Sequence, residues 1–176
     1  GRVMGEGLLT DSPTAVAAQM LSVEAYALRL RARFGLETGG VRYFNVFGPR
    51  QDPESQYAAV VPKFITAFLE DRAPVIHGDG SQSRDFTFID NVVEANVAAC
   101  AAPATAGGRS YNIALGGRIS VTDLCLRIRD LVGSHVDPTY DAARAGDVKH
   151  SQADVRLARE HLGYIGQVDL EEGLRR

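Results

Sequence analysis

The sequence predicts an α/β fold, and three observations carry that prediction. Segments with the apolar spacing of helices alternate with short runs of β-branched and aromatic residues. One such run ends abruptly at Gly48-Pro49, as a strand does at a sharp turn. The composition, 45% hydrophobic and 23% charged, is that of an ordinary globular protein. A chain of 176 residues has the length for one domain with a sizeable core, burying roughly 70% of its unfolded surface.

The elements follow in order. Ser12 is suited to cap a helix with Pro13 at its first position. Val16, Met20, Val23, Ala27, Leu30 and Phe34 then recur at helical spacing as one apolar stripe, and Gly35 is a natural stop. Thr38 to Val46 reads as a strand. Tyr57 to Leu69 reads as a helix with Val60, Val61, Phe64, Ile65, Phe68 and Leu69 on one face. Pro74 to His77 is a short strand followed by the turn Gly78-Asp79-Gly80-Ser81. Asp85 to Ile89 alternates like a strand, and Asp90 is placed to cap a helix running to about Ala101. After the Gly107-Gly108 loop, Ser110 to Ala114 reads as a strand. Ser120 and Asp123 form a capping box for a helix carrying Val121, Leu124, Cys125, Ile128, Leu131 and Val132. Val136 to Tyr140 reads as a further strand, and Asp154 as the cap of a short helix ended by Gly163.

Bulk properties narrow the function. Net charge is -3, with 19 basic and 22 acidic residues intermixed, so there is no basic stripe for nucleic acid or for an anionic membrane surface. No apolar run reaches the roughly 18 residues of a membrane span. No signal-peptide pattern opens the chain, and a cytoplasmic location is expected. Cys100 and Cys125 lie apart in helix-like apolar contexts and read as reduced core thiols. His77, His135, His150 and His161 lack metal-ligand spacing with cysteines or carboxylates, so no metal site is expected. Gly1 to Gly7 has neither a start Met nor a clear element and reads as a chain entered partway through.

Five blocks in order carry a resemblance: Arg42-Tyr43-Phe44-Asn45-Val46-Phe47-Gly48-Pro49-Arg50; Tyr57-Ala58-Ala59-Val60-Val61-Pro62-Lys63; Gly78-Asp79-Gly80 with Arg84-Asp85-Phe86; Tyr111-Asn112-Ile113; and Arg144-Ala145-Gly146-Asp147-Val148 with Ala153-Asp154. Together they resemble the NAD-dependent epimerase/dehydratase family of extended short-chain dehydrogenases, nearest to UDP-glucose and UDP-N-acetylglucosamine 4-epimerases, over its carboxyl-terminal half. The resemblance implies the end of a Rossmann-like parallel sheet plus the smaller α/β substrate-binding lobe. Residues 1–50 would be the remnant of the dinucleotide domain and 51–176 the interleaved sugar-nucleotide lobe.

A strand ending in Asn-Val-Phe-Gly-Pro leaves polar groups at its carboxyl end, where ligands bind in open α/β sheets. The resemblance gives Asn45 a sugar-nucleotide contact and sets Tyr43 and Val46 beside the nicotinamide of NAD; Asn45 as a simple strand-end tie is the alternative. A helix N-terminus is electropositive and suits a phosphate or the edge of a base. The resemblance carries Ala59 and Val60 over as base contacts and lets Phe64 stack on the base, while Val60, Val61 and Phe64 also fit a plain core stripe. A guanidinium fork matches paired phosphate oxygens where an ammonium would not. The resemblance makes Arg84 and Arg144 the diphosphate clamp and Asp147 the ribose ligand; an Arg84–Asp85 surface pair and a solvated Arg144 are the alternatives. His77 stands where the family often places a polar group near the nucleotide, or is an exposed strand end.

Family catalysis needs a Tyr with a Lys four residues on, on one helical face. Counting back from Gly35 and Tyr43 lands on Val16 and Met20, neither of which moves a proton. The chain has two lysines, Lys63 and Lys149, and neither follows a Tyr at that spacing. Three readings stay open: part of a UDP-sugar epimerase that needs its front half, a non-catalytic sugar-nucleotide-binding subunit, or a product stable only by pairing. A homodimer through the Val16–Phe34 helix is expected by resemblance.

Overall fold

The computed structural model of the chain describes residues 15–54, 60–144 and 146–176, with side chains of the first helix from residue 18 onward. The expected cap at Ser12-Pro13 and the expected helix start at Tyr57 lie outside the described residues. The element order is α1 (Ala15–Phe34), β1 (Gly40–Tyr43), β2 (Val46–Phe47), α2 (Val60–Leu69), β3 (Val75–His77), β4 (Ser83–Arg84), β5 (Thr87–Phe88), α3 (Ile89–Ala101), β6 (Ser110–Ile113), β7 (Ile119–Ser120), α4 (Val121–Val132), β8 (Thr139–Asp141), α5 (Arg156–Leu162) and α6 (Leu170–Arg175). A 3₁₀ turn at Ala104–Ala106 precedes β6. Strands pair as β1–β6, β2–β5 and β3–β8, all parallel, and as β4–β7, antiparallel. This is the α/β class the sequence predicts.

The strand expected from Thr38 to Val46 is broken in two. Asn45 takes φ +36°, a left-handed conformation that Asn tolerates better than most residues. The break hands the chain from one partner to another: Phe44 N–H donates to the Ile113 carbonyl at 3.2 Å, and the Asn45 carbonyl accepts from Thr87 N–H at 3.2 Å. The expected strand from Asp85 to Ile89 is shorter as well. Only Thr87–Phe88 pairs, because Asp85 turns its carboxylate to three backbone donors and Ile89 already opens α3. The N-cap of α3 is Phe88 with no side-chain cap bond. Asp90 instead sits in the first turn, where a negative charge favours the helix dipole, and meets Arg176 at 3.2 Å. The expected strand Val136–Tyr140 starts late, at Thr139, where pairing with β3 begins.

Helix ends follow their chemistry. Ser120 Oγ accepts from Asp123 N–H at 3.0 Å, capping α4 as expected, and Gly133 closes that helix in the left-handed region. The cap of α5 is Val155 rather than Asp154, although Asp154 Oδ1 still accepts from Arg156 N–H at 3.1 Å. The short α6, which sequence periodicity does not reveal, is capped by Asp169 accepting from Glu172 N–H.

The main core joins α2 and α4 over β2, β3 and β5: Phe47, Phe64, Phe68, Ile76, Phe88, Leu124 and Ile128 are all buried. The Phe47 ring meets Phe88 edge-on at 5.6 Å and Phe86 at 6.4 Å. A second core gathers Tyr111, Ile113, Ala95, Ala158 and Tyr164 between β6, α3 and α5. Cys125 is buried in the first core, and burial pushes its thiol up to about 12, so it stays protonated at neutral pH. Cys100 is exposed on α3, contrary to the expectation of two core thiols, on a side of the helix that also leaves Val93 and Val97 exposed.

Among the described side chains, the apolar stripe expected on α1 docks on this chain only at Ala27 and Leu30. Leu21, Glu24, Ala27, Leu30 and Arg31 are the half-buried positions, while Met20, Val23 and Phe34 are 56%, 68% and 69% exposed. Glu24 sets the rotation. Its carboxylate takes Arg42 Nε at 2.6 Å and Nη2 at 2.5 Å, which fastens α1 to β1 and leaves Met20, Val23 and Phe34 facing outward. Arg31 adds a second anchor, lying across Gly107 and Gly108, where a methyl group on Gly107 would fall 2.5 Å from its guanidinium.

Candidate functional site

A cavity of about 540 Å³ opens between α2, the strand ends of β3 and β4, and the segment that follows β8. It collects Asn45, Val60, Phe64, His77, Arg84, Arg144 and Asp147, all expected from sequence as ligand contacts. Ala59, the remaining expected contact, lies outside the described residues. Tyr43 and Val46 are not among the lining residues. Tyr43 is exposed at the end of β1 and donates its hydroxyl to Asn96 Oδ1 at 2.9 Å; Val46 is half-buried in β2.

Each side chain arrives for a local reason. The left-handed turn at Asn45 lets its amide donate to the Asp85 carbonyl at 3.1 Å, so it is a strand-end tie that also borders the cavity. Val60 stands at the start of α2. Phe64, one turn on, is only 2% exposed and belongs to the core while also lining the cavity. His77 ends β3, with its ring 4.0 Å from the Asp141 carboxylate. Its carbonyl accepts from the Gln82 amide at 2.6 Å across the Gly78–Ser81 turn. Arg84 Nη1 donates to the Ser83 carbonyl at 2.8 Å, and Nη2 pairs with the Asp147 carboxylate. The alternative pairing with Asp85 is not formed, because Asp85 points away into the interior.

Lys63, Arg72, Arg84 and Arg144 face Glu54 and Asp147 around this cavity. Cations therefore outnumber carboxylates there, although the chain as a whole carries a net charge of -3. Two arginine forks beside a strand end are chemically fitted to a polyanion with paired oxygens. No group of three or more His, Cys, Asp or Glu among the described residues is arranged to hold a metal ion. No helix among them is long and apolar enough to cross a membrane.

Sequence reading missed Asp85. It is 1% exposed and accepts backbone N–H bonds from Leu115 at 3.2 Å, Gly116 at 3.0 Å and Ala153 at 3.3 Å. Burial pushes its carboxyl up to about 6, against the pull of those three bonds toward the ionised form. Its neighbour Ser83 holds the segment bearing Arg144 and Asp147. Ser83 N–H donates to the Lys149 carbonyl at 2.9 Å, its carbonyl accepts from Ser151 N–H at 3.0 Å, and its hydroxyl meets His150 Nδ1 at 2.9 Å. Nothing in the sequence pairs Ser83 with His150, because they lie 67 residues apart.

Parallel strand pairs flanked by helices, with an arginine-lined cavity at strand ends, are features of a Rossmann-type α/β fold. The family model of the NAD dependent epimerase/dehydratase family matches residues 11–114. A UDP-glucose 4-epimerase of Mycolicibacterium smegmatis is 37% identical over 169 residues, covering 96% of this chain and 53% of that protein. Among solved structures, a UDP-N-acetylglucosamine 4-epimerase of Methanobrevibacter ruminantium, bound to UDP-N-acetylmuramic acid, superposes with a TM-score of 0.85 at 41% identity. That match covers 90% of this chain and 50% of the other. A UDP-glucose 4-epimerase of Thermotoga maritima bound to UDP-glucose gives a TM-score of 0.85 at 36% identity over 93% and 51%. The chain belongs to the NAD-dependent epimerase/dehydratase family, within the extended short-chain dehydrogenases. It spans about half the length of the curated relatives it matches.

Proposed function

We propose that this chain is the sugar-nucleotide-gripping half of a UDP-sugar 4-epimerase-like protein and that it binds a UDP-hexose. The observation that carries this reading is the convergence of Asn45, Arg84, Arg144 and Asp147 on one cation-rich cavity. Arg84 and Arg144 take the diphosphate oxygens. As they do, Arg84 exchanges the Asp147 carboxylate for phosphate, and Asp147 becomes free to accept ribose hydroxyls. Val60 and the start of α2 border the base end.

Bound NAD supplies hydride transfer at a hexose carbon in this family's chemistry. The residues this chain offers toward it fit poorly. Tyr43 spends its hydroxyl on Asn96, Val46 is apolar, and α1 presents a thioether at Met20 where a lysine would hold a ribose. No step is therefore derived through the cofactor, and the chain by itself is read as inactive in turnover. This favours a non-catalytic binding or partner subunit as the second reading, supported by the Val16 and Met20 positions on α1.

Calorimetry with UDP-glucose tests the proposal. Loss of charge-assisted bonds in an Arg84→Ala, Arg144→Ala double variant should weaken binding about a hundredfold. Equal affinity in both proteins would sink the reading. Interconversion of UDP-glucose and UDP-galactose by the chain with added NAD would overturn the assignment of inactivity.

A further inference from the structure

We propose that Asp85 is a positioning residue for this site: its buried carboxylate fixes the arm carrying Arg144 and Asp147, and the turn after β6, against Arg84. The inference rests on the nucleotide-sugar reading above and deepens it.

Three successive residues divide the work. Ser83 holds the arm by main chain and hydroxyl at Lys149, His150 and Ser151. Arg84 reaches into the cavity and pairs with Asp147. Asp85 turns the other way and gathers donors from two distant segments, Leu115 and Gly116 after β6 and Ala153 before α5. Gln152 Nε2 closes the ring by donating to the Gly116 carbonyl at 2.7 Å. The arm is thus pinned from Lys149 to Ala153, and at its other end by Gly78 N–H on the Asp141 carbonyl at 2.8 Å.

Three converging N–H groups call for an acceptor with two oxygens and no hydrogen. An asparagine cannot replace it. Gly116 and Ala153 both aim at Oδ2, so an amide NH₂ there would set donor against donor, and an amide flipped the other way would do the same to Leu115. The ionised form is therefore the one that holds the arm. Three of the titratable groups around it are already engaged. Arg84 of β4 turns to Asp147, His150 to Ser83, and Asp154 to Arg156. Arg118, past the turn after β6, acts on His150. Tyr164 is buried and protonated, its hydroxyl pushed up to about 12 by burial first and then by the charges of Glu94 on α3 and of Asp85.

The test needs no surviving catalysis. In the wild-type protein, the amide resonances of Leu115, Gly116 and Ala153 should titrate together with a midpoint well above the ordinary carboxylate range. UDP-glucose, whose phosphates do not titrate near neutrality, should bind about tenfold more weakly at about pH 5 than at about pH 8. Asp85→Asn, shown to be folded by circular dichroism, should lose about tenfold in affinity at the higher pH and show a flat profile. An Asp85→Asn protein with wild-type affinity and a wild-type profile overturns the proposal, as do three amides with unrelated midpoints. Should the wild type not bind UDP-glucose at all, the ligand reading fails separately. Asp85 is then judged by hydrogen exchange in residues 146–153: about tenfold faster exchange in Asp85→Asn upholds it, and unchanged protection overturns it.

Discussion

Single atoms decide the geometry at two places beside the cavity. At Gly80 the backbone takes φ +72°, and a methyl group would fall 2.0 Å from Thr122 Oγ1. Gly80→Ala should cost about 2 kcal/mol, from left-handed strain and the clash together, measurable as a lowered urea midpoint at unchanged slope. The same turn delivers Gln82 and Arg84, so ligand affinity should fall with it. Asp85 gives a pH signature. Its carboxyl sits at about 6 in the folded protein against 3.8 in the unfolded chain, so the folded state holds the proton more tightly. That contribution is fully present below about pH 4 and is lost as pH rises through about 6, on the order of 3 kcal/mol in all. Urea titrations across this window should show that slope in the wild type and not in Asp85→Asn. Asp85 was hidden in the sequence because its three donors lie 30, 31 and 68 residues away, and an Asp beside an Arg reads as a surface pair.

At the scale of the element, α1 is the informative case. Its helical spacing and its Gly35 stop were legible, and the helix ends where expected. Its rotation was not, because a charged pair sets it rather than the apolar stripe. The Glu24 carboxyl is held below its usual range by Arg42 first, with Ser110 adding to the effect against the cost of burial. Glu24→Gln removes one partner of a pair with side chains only 20% and 14% exposed, and should cost roughly 2 kcal/mol in chemical denaturation. That loss should shrink as pH falls below the ordinary carboxylate range, since the native pair itself is then protonated away. The break between β1 and β2 was illegible for a similar reason. Residues 41–47 are uniformly apolar, aromatic or β-branched except for Arg42 and Asn45, and nothing local marks where the chain changes sheet partners.

Over the whole molecule, the site was more legible than the fold's details. Arg84, Arg144, Asp147 and Asn45 could be singled out because they fall in ordered blocks whose chemistry suits a diphosphate, and the chain brings them to one cavity although they lie up to 102 positions apart. Local periodicity has no comparable handle on elements such as β7 or α6, which are 2 and 6 residues long. The exposed apolar residues Met20, Val23 and Phe34 of α1 support the proposal of a homodimer through this helix. Light scattering should report a dimer that a Met20→Glu, Val23→Glu variant dissociates. A wild-type monomer that binds no hydrophobic dye would remove the need for cover.

The strand pairings have one more consequence, in time rather than in space. Among the described residues every strand pair joins positions between 35 and 70 apart, and no hairpin links neighbouring strands. A chain built this way must close long loops before any ladder can reward it. Refolding from denaturant should accordingly run in milliseconds to seconds, not microseconds. In that interval β1 and β2 have no partner, and a newly made chain is most exposed to association with its own copies.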